Sequence, residues 1–228
     1  MANADAEVEA QKRAAAERAL DLVRPGTVIG LGTGTTARYF IEGLIKRVLA
    51  GLEVRAVVTS LETRRRAEAG GIQVVDQMDG SLDLAVDGAD EIDPDVNCLK
   101  GRGGALLREK IVASASRRFV LIADESKLVG RLGRGPVPIE VLPFLWEATS
   151  QAIQSLGGRP QLRTAAGKPF MTDNDNLILD TTFGGVDPAL GLALHAIPGV
   201  LEHGLFFGMA RAAIIGCASG LRILGELG

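Results

Sequence analysis

The chain has 228 residues, of which 46% are hydrophobic, 23% charged and 4% aromatic, and its formal net charge is -3 at pH 7. This length and apolar content predict an ordinary globular protein with a buried core, in one large domain or two small ones. The acidic balance provides no basic field of the kind that nucleic-acid binding needs, so we expect no nucleic-acid partner.

Cysteine and histidine are scarce, with Cys98 and Cys217 the only cysteines and His195 and His203 the only histidines. Two cysteines cannot form a dense disulfide framework, and the N-terminal segment lacks the apolar run of a secretory leader, so we expect buried thiols in a cytoplasmic protein. No run approaches the length of a membrane span, so no membrane partner is expected. Without a Cys-x-x-Cys pair, and with no chemistry assigned to the histidines, any metal would have to sit on carboxylates.

The first half of the chain alternates predicted helices and strands. Hydrophobic spacing predicts helices over 5–23, 37–49, 63–69 and 105–114, and strands over 27–32, 53–58, 72–75, 82–86 and 118–123. Alternation of this kind is typical of an α/β fold, in which a Rossmann-like, mostly parallel sheet has helices on both faces. Ligands of such sheets bind beyond the carboxyl ends of the strands, where we place the loops 32–36, 87–91 and 124–127.

The pattern changes at "GRGPVPIEVLPFLW", residues 133–146, where three prolines interrupt the alternation and predict a domain junction. Beyond it we predict helices over 146–156 and 188–197 and strands near Gln161, over 177–183 and over 200–207, which together suggest a small α+β domain. The run "AAIIG" near the end is a candidate last strand that returns to the first sheet. The predicted domains are therefore 1–131 with 207–228, and 132–206.

The stretch "GLGTGTT", residues 30–36, follows a predicted strand and precedes a predicted helix. Backbone N–H groups and a helix N-terminus would point at an anion there, with threonine hydroxyls as further donors, so the stretch is a candidate phosphate site. It matches neither the dinucleotide fingerprint nor the Walker A loop. The alternative is a tight turn capped by threonine. The candidate binding residues are Gly32, Thr33, Gly34, Thr35 and Thr36.

The stretch "DGADEID", residues 87–93, places four acids in seven residues at the end of an apolar strand. Mutual repulsion makes that arrangement costly unless solvent, cations or a polyhydroxylated ligand contact the oxygens. Asp87 and Asp90 bracket the Gly88 turn and are the candidates to face a ligand. The alternatives are a solvated acidic turn with helix-capping aspartates and, further, a magnesium site.

The stretch "CLKGRGGALLREKIVAS", residues 98–114, combines cations with a flexible loop and a carboxylate on the following helix. Lys100 is suited to stabilise a developing oxyanion, and Glu109 to act as an acid or base in the same cavity. The alternative is that Glu109 and its charged neighbours lie on the solvated face of an amphipathic helix. In "ADESK", residues 123–127, Lys127 is suited to pair with a phosphate or with Asp87 and Asp90, or it is a surface lysine; Lys12 on the first helix is a similar candidate.

Taken together, "GLGTGTT", "DGADEID", "LKGRGGALLREKI" and "ADESK", in this order and spacing, resemble ribose-5-phosphate isomerase of the A type. The resemblance continues through "LGGRP", "TDNDN", "LILD", "AIPGVLEHGLF" and "IIG". It implies isomerisation of ribose 5-phosphate and ribulose 5-phosphate in the pentose phosphate pathway without a metal or cofactor. It also implies a Rossmann-like domain with a smaller, ferredoxin-like α+β domain, assembled as a homodimer or homotetramer.

The resemblance also implies roles for individual residues of this chain. Glu109 matches the general base, and the residues around the reacting end of the sugar are matched by Asp87, Asp90 and Lys100. The substrate-binding residues that we expect are Lys12, Gly32, Thr33, Gly34, Thr35, Thr36, Gly101, Arg102, Gly103, Gly104 and Lys127.

Three positions depart from the family pattern. Thr35 stands where many members have serine, which keeps a hydroxyl and should matter little. Arg102 stands where some members have glycine, so its side chain must leave the cavity or contact the ligand. Asp175 of "TDNDN" stands where glycine is common, which puts strain on the predicted turn.

Two other functions would use a similar layout. A sugar-phosphate sensor could bind the same ligand, but it has little need of a positioned Glu109, and only one helix precedes the first predicted strand, which leaves no room for a helix-turn-helix region. An acyl or CoA transferase would also place a glutamate in such a fold, but no long CoA groove is identifiable in the sequence.

Overall fold

The computed structural model describes residues 2–77 and 80–227. Six helices, labelled α1 to α6, span Ala2–Leu20, Thr35–Leu49, Leu61–Ala69, Leu106–Ser114, Trp146–Ser155 and Pro188–His195 in the described ranges, and a 3-10 turn spans Glu125–Lys127. The strands β1 to β8 span Val28–Leu31, Arg55–Val58, Gln73–Val74, Leu84–Asp87, Glu91–Ile92, Cys98–Leu99, Phe119–Asp124 and Val137–Val141. The strands β9 to β16 span Arg159–Leu162, Thr164–Ala165, Lys168–Pro169, Leu177–Thr182, Val200–His203, Leu205–Phe206, Ala212–Cys217 and Gly220–Gly225.

The large sheet has seven strands in the order β16-β15-β7-β4-β1-β2-β3. All neighbours in it are parallel except β15 and β16, which form an antiparallel hairpin. One face packs against α1 and α2 in a core that contains Leu20, Phe40 and Leu44, and the other face packs against α4 through Val112 and Ala113. The predicted parallel sheet with helices on both faces is confirmed, and "AAIIG" returns to it as β15.

The small sheet has four antiparallel strands in the order β13-β8-β12-β9. Helix α5 follows β8 and helix α6 precedes β13, which gives a βαββαβ unit with a third apolar core of its own. This arrangement confirms the smaller ferredoxin-like part. All four strands of this sheet fall within 132–206. The exact boundaries of the two domains remain a prediction.

Two segments differ from the sequence-based prediction. The proline-rich segment 133–146 was predicted as a domain junction, but it contains β8, a central strand of the small sheet that includes Pro138. The single strand predicted over 200–207 is two strands in two sheets, because β14 pairs with β6 in a separate three-stranded sheet. The break falls at Gly204, whose N–H donates to Pro138 and whose carbonyl accepts from the N–H of Lys100. An added Cβ at Gly204 would overlap the Lys100 carbonyl, so only glycine fits this crossing.

Smaller differences concern the ends of the chain and the thiols. Helix α1 ends at Leu20 rather than at residue 23, and β16 was not predicted. Both cysteines are free, but only Cys98 is buried, while Cys217 at the end of β15 is half-buried. Asp175 adopts a left-handed backbone conformation with φ of 59°, as its place in a glycine-favouring turn predicts.

Candidate active site

The three loops predicted at the carboxyl edge of the large sheet converge on one cavity of about 100 Å³. The loop after β1, the loop after β4 and the turn after β7 meet there because parallel strands end at the same edge of a sheet. The segment that leads into α4 closes the fourth side. The cavity is lined by Thr33, Gly34, Thr35, Thr36, Gly88, Ala89, Asp90, Lys100, Gly101, Gly103, Glu109 and Lys127.

The N-terminus of α2 forms one wall of this cavity. Gly34 precedes the helix with φ of 115° and has no side chain that could cap it, and the first turn contains no acidic residue. The first N–H groups and the helix dipole therefore favour an anion at this wall. The hydroxyl of Thr33 points elsewhere, since it lies 2.7 Å from the Thr59 hydroxyl and 2.8 Å from the Ser60 hydroxyl.

A buried group of three charges lies deeper, at the end of β4. The Nζ atom of Lys100 is 3.0 Å from Oδ2 of Asp87 and 3.4 Å from Oε1 of Glu109, and it donates to the Gly88 carbonyl at 2.5 Å. The other oxygen of Asp87 accepts from the N–H groups of Thr33 and Gly88. Among the described residues, Oε2 of Glu109 is buried without a hydrogen-bond partner.

Burial dominates the electrostatics of this group. It raises the pKa of Glu109 to about 8, against the opposing effect of the Lys100 ammonium. Burial likewise raises the pKa of Asp87, which Lys100 opposes. For Lys100 burial acts in the other direction, but the two carboxylates outweigh it and the pKa of Lys100 rises. The ammonium therefore stays charged, while Glu109 can change its protonation state near neutral pH.

The acids of "DGADEID" are separated by the fold, and each has its own partner. Asp90 accepts from the N–H of Arg102 at 3.0 Å, and Asp93 accepts from the N–H groups of Asp95 and Asn97. Glu91 is fully buried and accepts from the N–H groups of residues 133, 134 and 135. Repulsion is thus relieved by protein donors, and within the ranges 2–77 and 80–227 these acids do not converge as the magnesium alternative requires.

Several predicted site residues lie around the cavity rather than in its lining. Gly32 packs on Asp87, and a Cβ there would overlap the carboxylate. Gly104 packs against the ring of Phe170. The side chain of Arg102 leaves the cavity, half exposed, with Nε 3.9 Å from Asp90. Lys12 also lies outside the lining and pairs with Glu9 at 2.7 Å.

Both histidines come together around Lys110, the neighbour of Glu109. The Nζ atom of Lys110 is 2.6 Å from Glu202 and donates to the His203 carbonyl. Glu202 in turn lies 2.8 Å from Nε2 of His195. His195, Glu202 and His203 have their potential metal ligands within 4.8 Å of one another, an arrangement that the sequence pattern did not indicate. The Lys110 ammonium, however, already contacts Glu202 and His203. The histidines thus serve an ion-pair network that fastens α4 to the small sheet.

Arg163 and the turn 172–176 of the small sheet also reach the active-site segment, and sequence reasoning gave them no role there. Arg163 donates to the carbonyls of Gly101 and Arg102, and Arg108 donates to Asn174 and to the Asp173 carbonyl. Residues more than 60 positions apart form these contacts, so no local pattern indicates them. Gly88 and Ala89 of the lining were recognisable only as parts of the acidic motif.

Comparison with known proteins identifies the family. The family model for ribose 5-phosphate isomerase A (phosphoriboisomerase A) matches residues 55–220. The chain belongs to the ribose 5-phosphate isomerase A family. It is 49% identical to the ribose-5-phosphate isomerase A of Bradyrhizobium diazoefficiens, over 93% of this chain and 94% of that protein.

Solved structures of the family agree with the fold. A D-ribose-5-phosphate isomerase in complex with phospho-erythronic acid superposes with a TM-score of 0.92 at 38% identity, over 96% of this chain and 99% of that one. The ribose 5-phosphate isomerase of Plasmodium falciparum also gives a TM-score of 0.92, at 35% identity, over 96% of this chain and all (100%) of that one. None of the helices that the structure describes is long and apolar enough to cross a membrane.

The contact between Gly32 and Asp87 gives a first prediction. Gly32→Ala should push the Asp87 carboxylate away from Lys100, lowering turnover by about 10²-fold and the free energy of unfolding by about 1–3 kcal/mol. Gly184→Ala is the control, since a Cβ at Gly184 meets open space. Steady-state kinetics and chemical denaturation measure both effects, and a Gly32→Ala protein with normal turnover would contradict the packing described here.

Proposed function

We propose that this cavity interconverts D-ribose 5-phosphate and D-ribulose 5-phosphate, with Glu109 as the base that moves the proton. The reaction is the aldose–ketose isomerisation of the pentose phosphate pathway, and family membership supports it over the sensor and CoA-transferase alternatives. The observation on which the proposal rests is the pairing of a buried carboxylate of raised pKa with a buried ammonium in the same cavity.

The chemistry requires one carbon-bound proton to move between neighbouring carbons. The base removes the proton from C2 of the open-chain aldose, an enediolate forms, and the same proton is delivered to C1, while the O2 hydroxyl proton moves to O1. Glu109 suits both transfers, because one oxygen is held near Lys100 and the other has no partner among the residues described. A base with a pKa near the working pH can accept and return a proton with little loss of driving force.

Lys100 supplies the positive charge for the enediolate. Its ammonium donates to the Gly88 carbonyl and lies within ion-pair distance of Asp87 and Glu109, at 3.0 and 3.4 Å. When Glu109 takes up the substrate proton it loses its negative charge and its attraction for the ammonium. The charge of Lys100 then becomes available to the new oxyanion at the moment that it forms, while Asp87 keeps the ammonium in place.

The phosphate group is proposed to bind at the opposite wall, between the N-terminus of α2 and Lys127. Thr35 and Thr36 offer hydroxyl and N–H donors there, and Lys127 forms no ion pair within the described part of the chain. Binding energy from the phosphate orients the reacting carbons. The relative bound to phospho-erythronic acid supports a phosphosugar as the ligand, because that compound combines a phosphate with a carboxylate whose planar, negative oxygens resemble an enediolate.

A homodimer or homotetramer is the proposed assembly, and exposed apolar side chains near β8 and β13 support it. Leu142, Phe144 and Leu145 follow β8 directly, and Leu201 lies on the neighbouring strand β13. Exposed groups of this size are typical of protein interfaces. The predicted cytoplasmic location and the absence of a metal stay predictions, and an assay with and without a chelator tests the second.

Replacement of Glu109 tests the proposed base. Glu109→Gln should lower kcat by about 10²- to 10⁴-fold, because the amide cannot accept the proton. Ribose 5-phosphate should still bind, as titration calorimetry would show. Glu147→Gln is the matched control, since Glu147 also lies in the first turn of a helix but is exposed. Normal turnover in Glu109→Gln would reject the proposal.

The pH profile tests the ionisation. Because Glu109 must be a carboxylate to act and its pKa is raised to about 8, kcat/KM should fall as pH drops below about 8. Asp87→Asn removes a negative charge that raises the pKa of Glu109. The fall in kcat/KM on the acidic side should therefore move to lower pH, even though activity is weaker. If the acidic fall in kcat/KM stays at the same pH in Asp87→Asn, the ionisation that causes it belongs to the phosphate of the substrate, whose second pKa is about 6.

The assembly is tested by light scattering. Phe144→Ser should shift the protein towards a smaller species, because a polar group replaces an apolar anchor. Leu49→Ser is the matched control, since Leu49 is as exposed, at 76% against 75% for Phe144, but lies on α2, away from β8. An unchanged mass for Phe144→Ser, or an equal shift in both variants, would reject this surface as the interface.

A further inference from the structure

Arg163 links the small sheet to the loop between Lys100 and helix α4. It lies directly after β9, and its side chain is only 13% exposed. Two nitrogens, Nε and Nη2, face the two carboxylate oxygens of Asp180 on β12, at 2.8 and 2.5 Å. The planar guanidinium matches a carboxylate in this two-point manner, so Asp180 fixes both its position and its plane.

The remaining nitrogen of this guanidinium acts on the active-site loop. Nη1 donates to the carbonyl of Gly101 at 2.9 Å and to the carbonyl of Arg102 at 3.1 Å. The ring of Phe170 lies 5.7 Å from the guanidinium carbon and packs on Gly104 at the end of the same loop. The backbone of Arg163 is itself held, because its N–H donates to Ile178 and its carbonyl accepts from Phe170. The small sheet thus holds the loop through a rigid group.

The direction of these two carbonyls decides where the loop presents its N–H groups. In a trans peptide the N–H points opposite to the C=O, so the N–H groups of Arg102 and Gly103 point away from Arg163. That of Arg102 reaches Asp90, which lines the cavity, at 3.0 Å. Gly103 lines the same cavity. Its N–H therefore faces the side on which the sugar is proposed to bind.

We propose that Arg163 is a positioning residue for the isomerisation: held by Asp180, it orients the peptides of Gly101 and Arg102, so that Gly103 presents its N–H to the sugar while Lys100 and Glu109 keep their separation. The proposal rests on the roles given above to Lys100 and Glu109. Arg163 itself does not line the cavity, so its effect on the reaction passes through the loop.

Kinetics of Arg163→Ala test the proposal. A displaced loop should lower kcat by about 10²-fold, while KM changes little because the proposed phosphate wall at 33–36 does not touch Arg163. Guanidinium chloride at millimolar concentration should restore part of the lost kcat, whereas sodium chloride at equal ionic strength should not. Arg163→Lys keeps the positive charge but loses the planar guanidinium, so its kcat should lie between that of the unchanged protein and that of Arg163→Ala. Arg159→Met is the matched control, since Arg159 begins the strand β9 that precedes Arg163 but is exposed, and this variant should keep normal kinetics.

Amide hydrogen exchange detects a displacement of the loop independently of catalytic activity. In Arg163→Ala, amide exchange should become faster in the peptide that contains 101–104 and stay unchanged in the peptide that contains 32–36. If Arg163→Ala does not fold, Asp180→Asn gives the same test, because it frees the guanidinium without removing it. Faster exchange with normal kcat would overturn the positioning role, and so would a fall in kcat that guanidinium does not restore and that parallels the loss of melting temperature. Normal turnover in Glu109→Gln would instead reject the proposed base, which is a distinct result.

Discussion

The buried ammonium of Lys100 is the constraint on which the rest of the site depends. A charge without water is tolerated only when it is paired and its hydrogens are satisfied, so Asp87, Glu109 and the Gly88 carbonyl must meet it at the end of β4. This requirement explains the glycine at position 32, which leaves room for the Asp87 carboxylate. It also explains how Glu109 can be buried and still change its protonation state near neutral pH. Burial raises its pKa to about 8, and the ammonium prevents a larger rise.

The small sheet acts as the second half of the active-site support. It reaches the segment from Lys100 to Lys110 at three places: Arg163 holds the loop, the turn 172–176 holds Arg108, and Glu202 with His203 holds Lys110. That turn is organised in its own right by the buried Glu140, which accepts from Thr172, Asn174 and Asn176. Glu109 therefore lies between two anchored neighbours. The proposed role of Glu109 as the base requires fixed surroundings of this kind, because proton transfer depends on accurate positioning.

Sequence patterns predicted the large sheet well and the junction region poorly. Long apolar and amphipathic runs define α2, β4 and β7 whatever surrounds them. The proline-rich stretch 133–146 looked like an interruption, although it contains the central strand β8, because Pro138 masks the strand pattern locally. The break at Gly204 was also missed, because its cause is the backbone of Lys100, which is remote in sequence. Predictions of this kind fail where the cause of a structure is not local.

Local patterns were sufficient to predict the fold class, the three loops at the carboxyl edge of the large sheet and the types of side chain around the cavity, because strand ends, glycine turns and charge spacing are local properties of the chain. The sequence also determined the family through motifs of fixed spacing. Contacts between distant segments were needed to show that Lys100 lies between two carboxylates, that Arg102 and Lys12 lie outside the cavity lining, that Glu91 binds the 133–135 backbone and that Arg163 holds the glycine loop. These outcomes depend on distances between segments remote in sequence. Burial and neighbouring charges, which together set the pKa of each group, exist only once the segments have packed.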